Sequence, residues 1–127
     1  MADGAFATNI SCIDGRVLQP VAEFLKKKYK VDYVDAITEP GPDGILAVNQ
    51  DKVAIESIKR RVGISTGRHG SKHIAIVGHH DCAGNPVDKD THLAHVRSAI
   101  KTVKSWGFNA EVIGLWVDHK WKASEVK

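Results

Sequence analysis

The fold is decided by residues 73–82, which read HIAIVGHHDC. The first half of this stretch, residues 73–77, is a short apolar run of the kind that forms a buried strand in a parallel sheet. The run stops at Gly78, and two residue types that bind metals, His79 and Cys82, follow it directly. The stretch therefore predicts a strand that carries potential metal ligands at its carboxyl end.

Short β-branched runs alternate with longer amphipathic stretches along the chain, which is typical of a parallel α/β sheet. The predicted strands cover residues 6–11, 31–37, 73–77 and 110–117, and the predicted helices cover residues 17–28, 50–62 and 91–106. Residues 38–44 and 65–71 are predicted to be loops. We expect a single domain over residues 1–127, with a four-stranded, mainly parallel sheet in the order 2-1-3-4 flanked by helices.

Two helix details follow from the same patterns. Val53, Ile55, Ile58 and Val62 are the candidate buried positions of the second predicted helix. Asp90 or Thr91 is the expected N-cap of the third helix, and residues 118–127 are expected to form a short polar tail.

The strand order 2-1-3-4 makes the first and third strands neighbours whose connections leave in opposite directions. Open α/β sheets place their ligands at such a switch point. Cys12 ends the first predicted strand, and His79 and Cys82 follow the third. We therefore expect these three residues to converge at one crevice, although they are far apart in sequence.

Composition limits the function classes. The chain has 127 residues, a formal net charge of +3 and no apolar run long enough to span a bilayer. The basic cluster at Lys26–Lys30 falls at the end of a predicted helix, where cations complement the helix dipole, so it does not indicate nucleic-acid binding. No signal peptide is recognisable at the N-terminus, and we expect a cytoplasmic protein that binds neither membrane nor nucleic acid.

Two cysteines, Cys12 and Cys82, are the only ones in the chain. In a reducing cytoplasm two thiols indicate buried packing, metal binding or redox chemistry more often than a disulfide. Two thiolates and the imidazole of His79 suit one tetrahedral zinc ion per chain. A structural zinc site normally has four protein ligands, whereas three leave a position for water or substrate. The pattern therefore predicts a catalytic zinc that activates water.

Asp14 and Arg16 lie two and four residues after Cys12. Two thiolates cancel the charge of a zinc ion, so a bound water loses its proton less readily than at a site with three histidines. A carboxylate can orient that water, and an arginine can keep the carboxylate ionised. Two alternatives stay open: the two residues form an ordinary surface salt bridge, or Asp14 itself takes the fourth zinc position and closes the site.

These segments resemble those of a known family. Cys12-x-Asp14-x-Arg16 together with Gly78-His79-x-x-Cys82 is similar to the zinc signature of the β-class carbonic anhydrases. Residues 74–82 and 112–118 also resemble the corresponding strands of that family. The similarity covers most of the chain, but only the two zinc segments are specific.

The resemblance implies reversible hydration of carbon dioxide to bicarbonate and a proton, with zinc-bound hydroxide as the attacking group. It implies that Cys12, His79 and Cys82 are zinc ligands and that Asp14 and Arg16 are the orienting pair. It also implies a homodimer or a larger homo-oligomer with active sites near the subunit interface, and small-molecule partners, carbon dioxide and bicarbonate.

The sequence departs from the family pattern in four places. Gly15 stands where the family has serine, and Ala83 precedes the glycine that usually follows the last cysteine. The N-terminal helical arm of the family is not found before the first predicted strand, and a proline-rich segment, residues 39–44, replaces an Ala-Gly-Asn turn. These departures leave the ligand pattern intact and bear on the carbon dioxide pocket.

Other functions are compatible with part of the pattern. A related zinc hydrolase of carbon disulfide or carbonyl sulfide would use the same chemistry on another linear molecule, and a zinc-binding module without catalysis would need the ligands alone. The retained Asp14 and Arg16 argue against the latter. Nucleotide binding is disfavoured because no Gly-x-Gly-x-x-Gly turn follows the first strand.

The remaining histidines and tryptophans receive structural interpretations. His80 is expected to be partly exposed without a defined role, with a proton shuttle or a fourth ligand as the alternatives. Surface roles are expected for most of the other histidines, among which another shuttle group stays open; they are His69, His73, His92, His95 and His119. Trp106, Trp116 and Trp121 are expected to pack in the core or at an interface. Asn85 and Pro86 are expected to shape the loop after Cys82, and a hydrogen bond of Asn85 near the site stays open as an alternative.

Overall fold

The computed structural model describes residues 3–127, which form a mixed sheet with helices on both faces. The strands are β1 (Phe6–Cys12), β2 (Tyr33–Glu39), β3 (His73–His79), β4 (Glu111–Val117) and β5 (Ala123–Val126). Their order is β2-β1-β3-β4-β5. The three pairs of neighbours from β2 to β4 are parallel, and β5 is antiparallel to β4. The predicted α/β class and the order 2-1-3-4 are confirmed, but the sheet has five strands and not four.

The described residues form four helices. They are α1 (Gly15–Tyr29), α2 (Pro42–Val48), α3 (Lys52–Gly67) and α4 (Lys89–Lys104). An aspartate side chain caps three of them by accepting a backbone N–H of the first turn: Asp14 for α1, Asp51 for α3 and Asp88 for α4. The N-cap of α4 was predicted two or three residues too late. Among residues 3–127, no helix combines the length and the apolarity needed to cross a bilayer.

Helix α2 begins inside the loop predicted for residues 38–44 and includes its last three residues. The segment was interpreted as a loop because it contains two prolines and two glycines. Pro42 nevertheless stands in the first turn of α2, where a missing N–H costs nothing, and Asp43 complements the positive end of the helix dipole. Gly41 adopts the left-handed conformation that reverses the chain before the helix, with φ at 60°.

Strand β5 was predicted as part of a polar tail. It has four residues, too few for a periodic pattern to be recognised, and it forms by pairing with the free edge of β4, where Trp116 faces Ser124. The strand therefore depends on its pairing with β4, which no local pattern in residues 123–126 indicates.

Each face of the sheet has its own hydrophobic core. On one face α1 buries Val17, Val21 and Leu25 against the strands. On the other face α2, α3 and α4 contribute, among others, Leu46, Ile58 and Ala99 respectively. Val53 was predicted to be buried, but it is 85% exposed, because it lies on the opposite side of α3 from the buried stripe.

The connections after β1 and β3 run to opposite faces of the sheet. Helix α1 follows β1 and packs on one face, whereas α4 follows β3 and packs on the other. The boundary between these neighbouring strands is therefore a topological switch point. Cys12 is the last residue of β1 and His79 is the last residue of β3, so both lie at that point.

Candidate metal centre

Three potential metal ligands meet at the carboxyl ends of β1 and β3. One donor atom each from Cys12, His79 and Cys82 lies within 4.8 Å of the others. All three residues are buried, with 6%, 1% and 5% of their surface exposed. The convergence expected from the strand order is present, and the group is compatible with a metal ion.

The ring orientation of His79 leaves one nitrogen free for a ligand. Its Nδ1 lies 2.7 Å from the backbone carbonyl oxygen of His80. Because a carbonyl can only accept, Nδ1 carries a proton, and in the neutral imidazole Nε2 then has a lone pair for a ligand. Nε2 is buried and has no hydrogen-bond partner. A buried nitrogen acceptor without a partner is costly, and a metal ion would satisfy it.

The two sulfur atoms are spaced for a shared metal. Cys12 Sγ and Cys82 Sγ are 3.9 Å apart, and both cysteines are free thiols. Two sulfurs at 2.3 Å from one tetrahedral zinc would be roughly 3.8 Å apart. The donor types and the spacing of the two sulfurs therefore fit a shared zinc ion.

Burial opposes ionisation of the Cys82 thiol in the metal-free chain. Desolvation, together with the neighbouring Cys12, raises the pKa of Cys82 to about 11. The backbone N–H groups of Asn85 and Gly84 hydrogen-bond its sulfur and partly offset this rise. The same two amides would stabilise a thiolate once a cation was present.

Asp14 and Arg16 form a charge-assisted pair beside the three donors. Arg16 Nη2 donates to Asp14 Oδ2 at 2.6 Å, and Arg16 Nε donates to Asp14 Oδ1 at 3.0 Å. Asp14 Oδ1 also accepts the backbone N–H of Arg16 at 3.0 Å, since Asp14 is the N-cap of α1. These hydrogen bonds lower the pKa of Asp14 to about 2 and raise that of Arg16 further above its usual range.

Arg16 has further partners on its other sides. Its Nη2 donates to the backbone oxygen of Asp81 at 3.2 Å, and its Nη1 lies 3.3 Å from Asp81 Oδ2. The guanidinium carbon lies 4.2 Å from the ring centroid of Trp121. Asp81, in left-handed backbone conformation with φ at 58°, forms the turn between His79 and Cys82. The orientation of Arg16 is therefore tied to the ligand loop.

A buried polar network supports the ligand loop from behind. His92 Nδ1 and Asp43 Oδ2 are 2.7 Å apart, and both side chains are almost fully buried. Asp43 Oδ1 accepts Asn85 Nδ2 at 3.2 Å, and Asn85 Nδ2 also lies 3.0 Å from His95 Nδ1. The network joins α2 and α4 to the segment after Cys82.

Two of the sequence-based interpretations change here. Surface positions were expected for most of the scattered histidines, and His92 is an exception, since it is 1% exposed. Asn85 hydrogen-bonds near the site, which was an open alternative for it, but its partner Asp43 could not be foreseen while α2 was interpreted as a loop.

Gly84 lets the ligand loop approach the start of α2. A Cβ atom at this position would overlap the backbone of Pro40 and Gly41. The glycine is displaced by one residue from the family pattern, after Ala83, and the close contact explains why a glycine is needed there. Gly15 is different, because a Cβ atom at Gly15 would meet no heavy atom within 4 Å.

The site residues named from the sequence lie together, and their roles stay predictions. Cys12, His79 and Cys82 form the donor group, and Asp14 and Arg16 form a pair beside it. Asp81 and Trp121 were missed as neighbours of Arg16. Asp81 lies inside the His-x-x-Cys motif, which was a signal for it, whereas the position of Trp121 depends on the unrecognised strand β5.

The observed sheet order and the buried Cys-His-Cys group at the switch point are those expected from the resemblance to the β-class carbonic anhydrases. The model of one protein family, described as "Putative carbonic anhydrase", matches residues 2–127. The chain belongs to this family. No curated protein sequence matches it.

Solved structures show the same fold. The chain is similar to β-carbonic anhydrase isoform I of Trichomonas vaginalis, with a TM-score of 0.63 and 15% identity. It is similar to a carbonic anhydrase of Streptococcus mutans, with a TM-score of 0.58 and 15% identity. A tetrameric β-carbonic anhydrase of Sordaria macrospora matches with a TM-score of 0.53 and 14% identity. The matches cover 94%, 94% and 96% of this chain and 81% of each of the others.

Proposed function

We propose that this chain is a zinc-dependent carbonic anhydrase that catalyses the reversible hydration of carbon dioxide to bicarbonate and a proton. Cys12, His79 and Cys82 would hold one zinc ion per chain. Membership of the family supports the activity. The observation that carries the zinc assignment is the unpartnered, buried Nε2 of His79 beside two thiols whose sulfurs are 3.9 Å apart.

The ligand set determines the charge of the site. A bound zinc supplies the Lewis acidity that makes water a nucleophile near neutral pH. The thiols of Cys12 and Cys82 would bind as thiolates and neutralise the two charges of the ion. The hydrogen bond from His79 Nδ1 to the His80 carbonyl fixes the ring orientation and the tautomer in which Nε2 would bind the ion. Three protein donors leave the fourth position open to water.

Asp14 and Arg16 would orient the reacting water. With a pKa of about 2, Asp14 is a carboxylate throughout the range in which the protein is expected to work. A carboxylate only accepts hydrogen bonds, so it selects a water that directs its proton toward Asp14 and its lone pairs elsewhere. Arg16 holds this charge in place through Nε and Nη2.

We propose further that the chain works as a homo-oligomer in a reducing compartment such as the cytoplasm. Ile13, which follows Cys12 in the chain, and Leu18 on α1 are 65% and 50% exposed, which suits a subunit interface. A structural relative from Sordaria macrospora is tetrameric. Both cysteines must stay reduced to bind zinc. Sedimentation of the purified chain tests the oligomer, and a monomer at all concentrations would contradict it.

The decisive experiment is stopped-flow hydration of carbon dioxide by protein with a verified zinc content. We expect wild-type chain with one zinc to exceed the buffer rate. Asp14→Asn should keep its zinc and lose about 10- to 100-fold in turnover, the usual effect of removing a group that supports a metal ligand. Asp90→Asn, the same change at an exposed position on α4, is the matched control and should retain the wild-type rate.

The outcomes separate the alternatives. A zinc-loaded chain with no rate above buffer would contradict the proposal and favour a zinc-binding module. Hydrogen sulfide release from carbon disulfide or carbonyl sulfide, without carbon dioxide hydration, would show that the same site acts on another linear substrate. Absence of stoichiometric zinc would contradict the metal assignment itself.

A further inference from the structure

Trp121 lies over the guanidinium of Arg16 at the edge of the candidate metal centre. We propose that Trp121 is a positioning residue: its ring clamps Arg16 in the orientation that binds Asp14, and so keeps Asp14 away from the fourth metal position. This inference rests on the proposed function, because it concerns the state of the same site. It adds a residue outside both zinc segments to the groups that control access to the metal.

The turn before β5 holds Trp121 in place. Asp118 Oδ1 accepts the backbone N–H groups of Lys120 and Lys122 at 2.9 and 3.0 Å, and the N–H of Trp121 donates to the Asp118 carbonyl at 2.9 Å. Trp121 has a φ of 60°, a left-handed conformation that is rare for a large side chain. Backbone strain of this kind persists where the surroundings over-determine it, as this hydrogen-bonded turn does.

The Trp121 ring adds a contact to the face of the Arg16 guanidinium. Asp14 and Asp81 occupy the edge of the guanidinium through hydrogen bonds, and the face of the guanidinium stacks on Trp121 at 4.2 Å from the ring centroid. Arg16 is nevertheless 45% exposed. A long exposed side chain loses rotamer freedom when it is held in one geometry, and the cation–π contact offsets part of that loss.

Asp14 would have a competing partner if Arg16 moved. It follows Cys12 by two residues, and its carboxylate faces Arg16 and is not one of the three donors within 4.8 Å of one another. A carboxylate released from Arg16 is itself a good zinc ligand. The clamp therefore favours the state in which the fourth position is open to solvent.

Simple packing is the competing explanation for Trp121. Its ring contacts the core that includes Cys12 and Cys82, and its centroid lies 6.4 Å from the His79 ring and 6.3 Å from the His80 ring. If Trp121 only packs, its replacement should lower the stability of the protein and leave unchanged the preference of Asp14 for Arg16 over the fourth metal position. The test must therefore measure the accessibility of the fourth metal position separately from the stability of the protein.

Azide binding to cobalt-substituted protein provides this measurement, because an anion that enters the fourth position changes the visible spectrum of Co²⁺. We expect Trp121→Leu to weaken azide binding by about 3- to 30-fold, the range that a cation–π contact represents. Trp121→Phe should weaken it less, because it keeps an aromatic face. Asp118→Ala, which loosens the turn without removing the tryptophan side chain, should also weaken azide binding.

The specific signature is coupling to Asp14. In an Asp14→Asn background the competing carboxylate is absent, so Trp121→Leu should change azide affinity by less than about 2-fold. Trp106→Leu is the matched control: Trp106 is also a partly buried tryptophan, but it packs with Phe108 on the other core. It should leave azide affinity at the wild-type value.

Three results would overturn the clamp: wild-type azide affinity in Trp121→Leu, an equal loss in the Asp14→Asn background, or an equal loss in Trp106→Leu. The coupling between Trp121 and Asp14 can be measured in a protein that does not hydrate carbon dioxide. Failure of the proposed activity is therefore distinguishable from failure of the clamp. If the chain binds no Co²⁺, NMR of the Arg16 Nε–H decides. Slower solvent exchange in wild type than in Trp121→Leu supports the clamp, and equal exchange overturns it.

Discussion

The two ends of the sheet both contain clusters of polar residues, and the clusters differ in how well they are satisfied. At the amino end, Thr8 Oγ1 lies 2.6 Å from Ser65 Oγ and donates to Ser71 Oγ at 2.8 Å. Asp35 Oδ2 accepts Ser65 Oγ and lies 2.7 Å from His69 Nδ1. Every one of these side chains has a partner within the protein, and together they join β1 and β2 to the end of α3.

At the carboxyl end the donor group is incomplete without a ligand. His79 Nε2 has no partner, and the sulfurs of Cys12 and Cys82 approach only each other and backbone amides. The difference teaches that the number of polar residues does not mark a binding site. Convergent donors that the protein leaves unsatisfied mark it, whereas a closed network stabilises the fold.

The largest effect is expected from removing one donor. Cys12→Ser should lower zinc affinity by more than about 100-fold, because a hydroxyl replaces a thiolate in the coordination shell. Competition with a chromophoric chelator measures the affinity. Ser65→Ala at the amino end is the control and should bind zinc as wild type does. Equal zinc affinity in Cys12→Ser and wild type would contradict the conclusion that the carboxyl end of the sheet binds the metal.

The pH dependence of zinc binding sharpens the same distinction. The pKa of Cys82 is raised to about 11, so this thiol is protonated in the metal-free chain at neutral pH, and zinc must displace the proton. Zinc affinity should therefore rise with pH by at least about 10-fold per unit between pH 6 and 9, and fall as the solution is acidified. Chelator competition at several pH values measures the slope. A flat profile would contradict a thiolate ligand at Cys82.

A smaller effect is expected on stability at the amino end. Ser65→Ala removes a hydroxyl that contacts both Thr8 and Asp35 in a buried position. It should lower the free energy of unfolding by about 1–3 kcal/mol, because buried partners are left unsatisfied. Urea denaturation of the metal-free protein measures this change. An unaltered midpoint of urea denaturation would show that the Ser65 hydroxyl contributes nothing to the stability of the fold.

The smallest effect is expected at Gly15. Gly15→Ser restores the residue that the family usually has, and its Cβ atom would meet no heavy atom within 4 Å. Zinc affinity should change by less than about 2-fold and stability by less than about 0.5 kcal/mol. Chelator competition and urea denaturation test both values. A large loss would show that Gly15 is required for a reason other than space.

Patterns within single elements predicted the parallel strands and the position of the donor group. Cys12 and His79 end neighbouring strands, and the strand order alone brings them together. Strand β5 and helix α2 escaped prediction for opposite reasons. Residues 123–126 take their conformation from β4, whereas residues 42–48 carry a helix start that proline and glycine concealed.

Contacts between elements set the limits of prediction at the site. The place of Trp121 over Arg16 requires the turn before β5, and the burial of His92 requires Asp43 on α2. Neither element was recognised, so neither contact could be inferred. The pair of Asp14 and Arg16, by contrast, lies within five consecutive residues of the first ligand and was accessible to local reasoning.

The close approach of Gly84 to Pro40 and Gly41 has an evolutionary consequence. Two segments more than 40 residues apart share a space that has no room for one additional methyl group. We expect residue 84 to carry a side chain only in relatives whose segment at 40–41 is rebuilt, so that the two positions covary. Libraries that diversify this protein should accordingly randomise both segments together, because changes in either alone are expected to be eliminated.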